Sequence, residues 1–302
     1  MNAFTLRMSA LRAALRYWFR FRTLEIVALQ GSPLLGFVMA VHRPTAESAR
    51  PLMLLAVANI CLVAHIFLTN DWSDTDKDVA DPNKADWFLT AGSMSRNDTA
   101  GLMIVLLAVS LFLFSQLGAI PLFLAIAIAA ASALYSLPKL HWKGKPILSS
   151  VLHLVGGALH FLLGYSVASV IDGRAVATAS FFGLTFAAGH LTQELRDYQG
   201  DARSEVRTNA VIFGQRRTFV ASLVLFTLAH GLLCFLALRG ILPRPLATLV
   251  VLYPLHLYWS LTTLADGLNY ASICRLQARY RFIYAIIGLA MFLNLWGAHH
   301  AA

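Results

Sequence analysis

The carboxylates of this 302-residue chain are few and crowded. Of 15 Asp and Glu residues, seven lie between Asn70 and Asp98 and four between Glu194 and Glu205. Glu25, Glu47, Asp172 and Asp266 are the remainder. The two crowded segments repeat one another. One reads Asn70-Asp71-Trp72-Ser73-Asp74-Thr75-Asp76-Lys77-Asp78, the other Gln193-Glu194-Leu195-Arg196-Asp197-Tyr198-Gln199-Gly200-Asp201. Each is a carboxamide, then an acid, then acids three and seven residues further on. Asp71, Asp74 and Asp78 therefore correspond to Glu194, Asp197 and Asp201. At about 100° per residue, positions i, i+3 and i+7 of a helix fall within about 60° of each other. If helical, each segment presents three carboxylates as one stripe.

Such a stripe is costly alone. Like charges one turn apart repel, and acids at a membrane boundary are poorly solvated. Acids at a helix C-terminus also oppose the macrodipole. Mg²⁺ is the natural compensating cation, because it takes hard oxygen ligands and is usually held by a few carboxylates together with phosphate and water. Two facing stripes would hold Mg²⁺ with a diphosphate between them. A solvated loop balanced by nearby Lys and Arg is the competing account of any single Asp-rich segment. Repetition at identical spacing weighs against it here. It remains the reading of Asp76, Asp81, Asp86 and Asp98, which lie off the repeat.

The elements that position these acids are read from composition. The chain is 58% hydrophobic and 13% charged, with a mean hydropathy of +0.65. A soluble domain carries about 25% charged residues, so lipid is the better solvent for this surface. The expected fold is all-α: a polytopic membrane protein with about nine transmembrane helices in one bundle. The spans are placed at 24–42, 51–69, 100–117, 119–137, 148–171, 176–193, 218–238, 245–264 and 282–298. Loops are short, so residues 1–302 form a single domain, and no strand alternation suggests a barrel. Each acidic segment then follows an even-numbered span.

Orientation follows from the basic residues. Nine spans put 19 of the 24 Lys and Arg residues on the side of the N-terminus and five on the other. The expected arrangement is an N-terminus and active site facing the cytoplasm, in a bacterial inner membrane. The net charge of +9 is mostly this asymmetry, with some attraction to anionic lipid; it calls for no nucleic acid. Residues 1–22 are basic, acid-free and amphipathic, which fits a helix lying in the interface. An Arg-rich transit peptide is the rival reading. Cys61, Cys234 and Cys274 are scattered and read as small apolar residues.

With these residues in place, the chain resembles the UbiA superfamily of intramembrane prenyltransferases over nearly its whole length. Asn70, Asp71, Asp74 and Asp78 match its N-D-x-x-D-x-x-x-D motif, and Glu194, Asp197 and Asp201 its second Asp-rich motif, with Glu in first place. Gly200, Asp201, Thr208, Ala210, Val211 and Gly214 follow its G-D-x-x-x-x-x-x-T-x-A-V-x-x-G pattern, and Tyr135-Ser136-Leu137-Pro138 with Lys139, Lys143 and Lys145 its Y-S-x-P…K segment. One departure stands beside the first motif. Pro82, Lys84 and Gly92 fit, but Trp87-Phe88 occupies the place of a usual Arg-Pro.

The resemblance implies an Mg²⁺-dependent enzyme that ionises an isoprenyl diphosphate and transfers the chain to an acceptor. The acceptor class, aromatic or another lipid-pathway nucleophile, stays open, and membrane lipids are the surrounding partners. Asp71, Asp74, Asp78, Glu194, Asp197 and Asp201 are the expected metal ligands. Asn70 and Gln193 are expected to orient ligands, and Lys84, Lys139, Lys143 and Arg203 to supply donors to the diphosphate, against a reading of each as ordinary topology charge. Tyr135 is expected to face the allylic cation, with an interfacial anchor as the alternative. His65 and His190, shortly before the motifs, read as hydrogen-bonded structural histidines or as a base. Gly156, Gly157 and Gly164 read as packing positions. A terpene cyclase using the same diphosphate site is the nearest rival, and an ion transporter a distant one, since transporter sites lie nearer the bilayer middle.

Overall fold

The computed structural model describes residues 23–41, 45–78 and 95–300. Within them the long helices are α1 (Thr23–Ala40), α2 (Ala46–Asp78), α3 (Arg96–Ser115), α4 (Ala119–Ser136), α5 (Leu148–Tyr165) and α6 (Gly173–Arg196). Two short helices follow, α7 (Tyr198–Arg203) and α8 (Asn209–Phe213), then α9 (Gln215–Leu238), α10 (Tyr253–Ala265) and α11 (Tyr270–His300). Eight described segments are long and apolar enough to cross a membrane, and Glu25–Ala40 is a shorter apolar helix in the place of the first expected span. The chain is a multi-pass membrane protein.

Two spans differ from the expectation by more than six residues at one end, and the eighth, which keeps its expected bounds, differs in helix type. The second span does not stop at residue 69: α2 runs on through the acidic segment to Asp78, with Thr69 and Thr75 hydroxyls bonding back to the carbonyls of His65 and Asp71. The eighth span begins as a 3-10 helix, Arg244–Leu252, and becomes α-helical only after Leu252. The last helix starts at Tyr270, where Asn269 accepts from the Ser272 amide and Ser272 donates to the Asn269 carbonyl. Helix starts elsewhere follow ordinary capping: Ser95 accepts from Asp98 N at 3.1 Å, and Asp172 from Ala175 N at 2.8 Å.

Two helices hold the bundle together. α5 contributes Leu163 to a cluster with Phe37, Leu55, Leu62, Phe114 and Ile128, and Phe161 and Tyr165 to a second cluster with α1, α6, α9 and α11. α6 joins that second cluster through Phe181 and Phe182 and a third through Ala188 and Leu195. Outward positions such as Phe112, Phe123, Leu238 and Phe282 are exposed large apolar residues, as a lipid-facing surface requires.

Close approach, more than side-chain bulk, sets the geometry of this centre. A Cβ on Gly164 would run into the Pro33 carbonyl, and one on Gly36 into the Phe161 carbonyl, so α1 and α5 touch backbone to backbone in both directions. Across the other face, a Cβ on Gly183 would lie 2.6 Å from Leu154 O, and one on Gly157 2.8 Å from Phe182 O. Gly157 and Gly164 are thus packing positions, whereas Gly156 has nothing within 4 Å of such a Cβ. Small residues permitting this contact are the usual device of helices that have no hydrophobic effect to drive them together in lipid. Gly164→Ala is expected to destabilise the detergent-solubilised protein by about 2 kcal/mol or more. Gly156→Ala is expected to leave stability within about 0.5 kcal/mol or raise it. Thermal unfolding of the two variants checks both.

Candidate active site

The first acidic segment is a continuous helix. Asp71 and Asp74, one turn apart on α2, are buried at 4% and 3% exposure, and Asp78 is the last residue of the helix. Asn70 is half-buried beside them. Asp76 points elsewhere: it is exposed and pairs with Arg96 at 3.1 Å, as an acid off the repeat should. Arg96 also lies over the Trp72 ring at 4.7 Å, and Trp72 Nε1 donates to the Arg96 carbonyl at 3.1 Å. This clasp ties the acidic end of α2 to the start of α3. The segment with Lys84 and Trp87-Phe88 lies outside the described residues.

The second segment is not one uninterrupted helix, and here the single stripe needs correcting. α6 ends at Arg196, and Asp197 takes φ −88° and ψ 3° before α7 begins. Backbone bonds from Asp197 N to Gln193 O and from Asp201 N to Asp197 O, both 2.9 Å, carry the track across the kink. The physical reason is visible in the side chains. Arg196 donates through Nε and Nη2 to both oxygens of its neighbour Asp197, at 2.8 and 2.9 Å, which holds the middle acid half-exposed at the bend. Glu194 and Asp201 on either side are buried. Gln193 is exposed, so it does not share the placement of Asn70.

Glu194 is held by protein groups on both of its oxygens. Oε1 accepts from Asn209 Nδ2 at 3.0 Å and from the Ser149 hydroxyl at 3.3 Å, and lies 3.0 Å from His190 Nε2. Oε2 accepts from the Ala210 backbone amide at 3.2 Å.

Lys143 brings the two segments into one electrostatic unit. It sits in the Trp142–Gly144 3-10 turn between α4 and α5, and its Nζ lies 2.7 Å from Asp74 Oδ2. Burial pulls its pKa down, but the charge of Asp74, with that of Asp201 behind it, more than reverses this and holds it well above the ordinary lysine value. Asp74 belongs to the first segment and Asp201 to the second, so the field of one ammonium reaches both, with direct contact to Asp74. Tyr135, at the end of α4, lies within the field of Lys143, Glu194, Asp74 and Asp201. Its ring meets His153 edge-on at 4.9 Å and His190 at 5.9 Å, and the two imidazoles stack at 3.7 Å. His153 Nδ1 lies 2.8 Å from the Ser149 carbonyl, which can only accept.

The structure therefore gathers Asp71, Asp74, Lys143, Tyr135, Glu194 and Asp201 at one end of the bundle, with Asp197 at its edge. Lys139 and Arg203 are exposed and make no ion pair among the described residues. His65 bonds the Met103 carbonyl at 2.9 Å, as a structural histidine does. Sequence reasoning missed Asn209 and Ser149. Asn209 sits at the variable position of the Thr208-x-Ala210-Val211 stretch, which hints at its neighbourhood and not at its contacts; Ser149 carries no signal.

A family model described as the UbiA prenyltransferase family matches residues 32–286. No curated protein matches the chain. Among solved structures, the fold is similar to a UbiA homolog from Archaeoglobus fulgidus bound to GPP and Mg²⁺, with 18% identity, a TM-score of 0.73 and coverage of 93% of this chain and 99% of that one. A structure of digeranylgeranylglyceryl phosphate synthase gives 16% identity, a TM-score of 0.70 and coverage of 95% and 99%. The apo structure of a UbiA homolog from Aeropyrum pernix K1 gives 17%, 0.66, and coverage of 91% and 96%.

Removing one partner of a buried ion pair strands the other charge. Lys143→Met is expected to lower the Mg²⁺-free stability of the protein by about 3 kcal/mol, and the double variant Lys143→Met/Asp74→Asn to recover most of that loss. Thermal unfolding in detergent with a chelator present checks both.

Proposed function

The chain belongs to the UbiA prenyltransferase family, and from that premise we propose that it ionises an isoprenyl diphosphate at the acidic end of the bundle and transfers the prenyl chain to an acceptor. The single observation carrying this reading is the 2.7 Å pair of Lys143 with Asp74 of the first segment, with Asp201 of the second segment within the field of the same ammonium. A buried cation beside both acidic segments marks where a polyanion and its counterions would sit.

The donor set fits Mg²⁺. Asp71, Asp74, Asp78, Asp197 and Asp201 offer hard oxygens, the donor type that Mg²⁺ takes alongside diphosphate and water. Held by these acids, Mg²⁺ would supply charge neutralisation to the departing diphosphate. Lys143 donates to the same oxygens, with Lys84, Lys139 and Arg203 as further donors and Asn70 orienting a ligand. The C1–O bond breaks with its electron pair going to the diphosphate, and Tyr135 turns its ring toward the allylic cation. The imidazoles of His153 and His190 beside Tyr135 help to keep water from that cation. The basic-residue asymmetry supports a cytoplasmic site and N-terminus.

A second reading is favoured by Trp87-Phe88 standing where Arg-Pro is usual: the cation is captured by a double bond of its own chain, as in a terpene cyclase. Incubation with farnesyl or geranylgeranyl diphosphate and no acceptor decides between them. Cyclic hydrocarbon as the main product means cyclase; its absence, with prenylated product once an acceptor is supplied, means transferase.

Asp71→Asn or Asp201→Asn is expected to cut Mg²⁺-dependent diphosphate release by about a hundredfold or more while the protein still inserts and folds. Wild-type turnover in either variant would remove the site assignment.

A further inference from the structure

Glu194 occupies the first place of the second acidic repeat, yet its surroundings are those of a structural carboxylate. It is 5% exposed. Two side chains donate to Oε1 and a backbone amide to Oε2, which fills three of the roughly four lone-pair sites of an ionised carboxylate, and His190 Nε2 lies 3.0 Å from Oε1. The group opposite is Asn209, itself 4% exposed. The orientation of its amide is fixed by what it meets. The Ile147 backbone N–H can only donate, so it takes Oδ1, at 2.6 Å. The Glu194 carboxylate can only accept, so it takes Nδ2, which also reaches the Ser149 and Ser150 hydroxyls at 3.2 Å each.

Ile147 is where this arrangement meets the site. It is a β-branched residue at φ 65°, a conformation held only when its surroundings impose it. It directly precedes α5 and lies four residues after Lys143. The Asn209 bond is therefore in a position to impose that backbone and so set the short turn that points Lys143 at Asp74.

We infer that Glu194 and Asn209 form a latch that positions Lys143, and that Glu194 serves this latch in place of binding metal. The role of Lys143 rests on the function proposed above; the latch does not. Glu194 is then a positioning residue, and the metal acids of the second segment are Asp197 and Asp201.

The test compares Glu194→Gln, Asn209→Ala, Asn209→Asp and the double variant Glu194→Gln/Asn209→Ala in the full-length detergent-solubilised protein, with geranyl diphosphate as donor. Glu194→Gln and Asn209→Ala are each expected to leave the Mg²⁺ concentration for half-maximal diphosphate release within about twofold of wild type while raising donor KM about tenfold. In substrate-free melts the double variant should unfold no earlier than the worse single variant, because both remove one interaction. Asn209→Asp should melt below Asn209→Ala, since it sets two carboxylates face to face. A rise of about tenfold or more in the Mg²⁺ requirement of Glu194→Gln would make Glu194 a metal ligand and overturn the inference. Additive melting losses, or an Asn209→Asp variant as stable as wild type, would overturn it as well. Should the wild-type protein release no diphosphate from any donor, the proposed function fails by itself, and the melts still decide the latch.

Discussion

Buried negative charge that must be answered is the constraint on which this end of the molecule depends. Asp71, Asp74, Glu194 and Asp201 are all removed from water, where an unpaired carboxylate is strongly unfavourable. The acids of the two segments are answered in three chemically different ways. Asp74 meets an ammonium, Lys143. Glu194 meets neutral donors, chiefly an amide side chain and a backbone N–H. Asp197, at the bend, meets a bidentate guanidinium supplied by its own neighbour. Two segments that are copies in sequence thereby become unequal in structure, because their counterparts come from different elements.

Those counterparts reach the site only because the helices behind them are fixed. Lys143 and Ile147 belong to the α4–α5 turn, Asn209 to α8, and the acids to the ends of α2 and α6. α5 and α6 lie between these parts and bear on three apolar clusters. Their mutual register is set by backbone contact at Gly157 and Gly183. The clasp of Trp72, Asp76 and Arg96 does comparable work at the outer edge of the first segment, holding the end of α2 against α3. A rigid interior, faced outside by exposed Phe and Leu that cost nothing in lipid, lets polar chemistry sit at one end of an apolar bundle.

Much of this was legible in the residues. Long apolar runs marked the helices, since no other element closes its own backbone hydrogen bonds in lipid apart from a barrel. The spacing of Asp71, Asp74 and Asp78 anticipated a continuous helical stripe, and α2 is continuous there. The same spacing at Glu194, Asp197 and Asp201 failed to show the kink, because spacing does not report that Arg196 would take Asp197 as its partner. Lys143 could not be separated from Lys139 by sequence: both are basic residues of one turn, and only burial beside Asp74 distinguishes them. Asn209 escaped notice for a related reason. A carboxamide can act as donor and acceptor at once, and which it does is decided by neighbours 60 or so positions away, at Ile147 and Ser149.

The glycine contacts have a consequence for how such a chain can diverge. Gly36 and Gly164 each abut the backbone of the opposite helix, and Gly157 and Gly183 do so across the next interface. A Cβ added at any one of them would meet the main chain of the opposite helix, which no rotamer change can move, and at Gly157 it would meet the Phe186 side chain as well. Substitution at any of the four positions therefore has to displace a helix. The lipid-facing positions carry no such restriction. Sequence drift in this fold should accumulate on the outside of the bundle and leave the central crossing almost untouched, so two members can share little sequence and still hold their acids in the same frame.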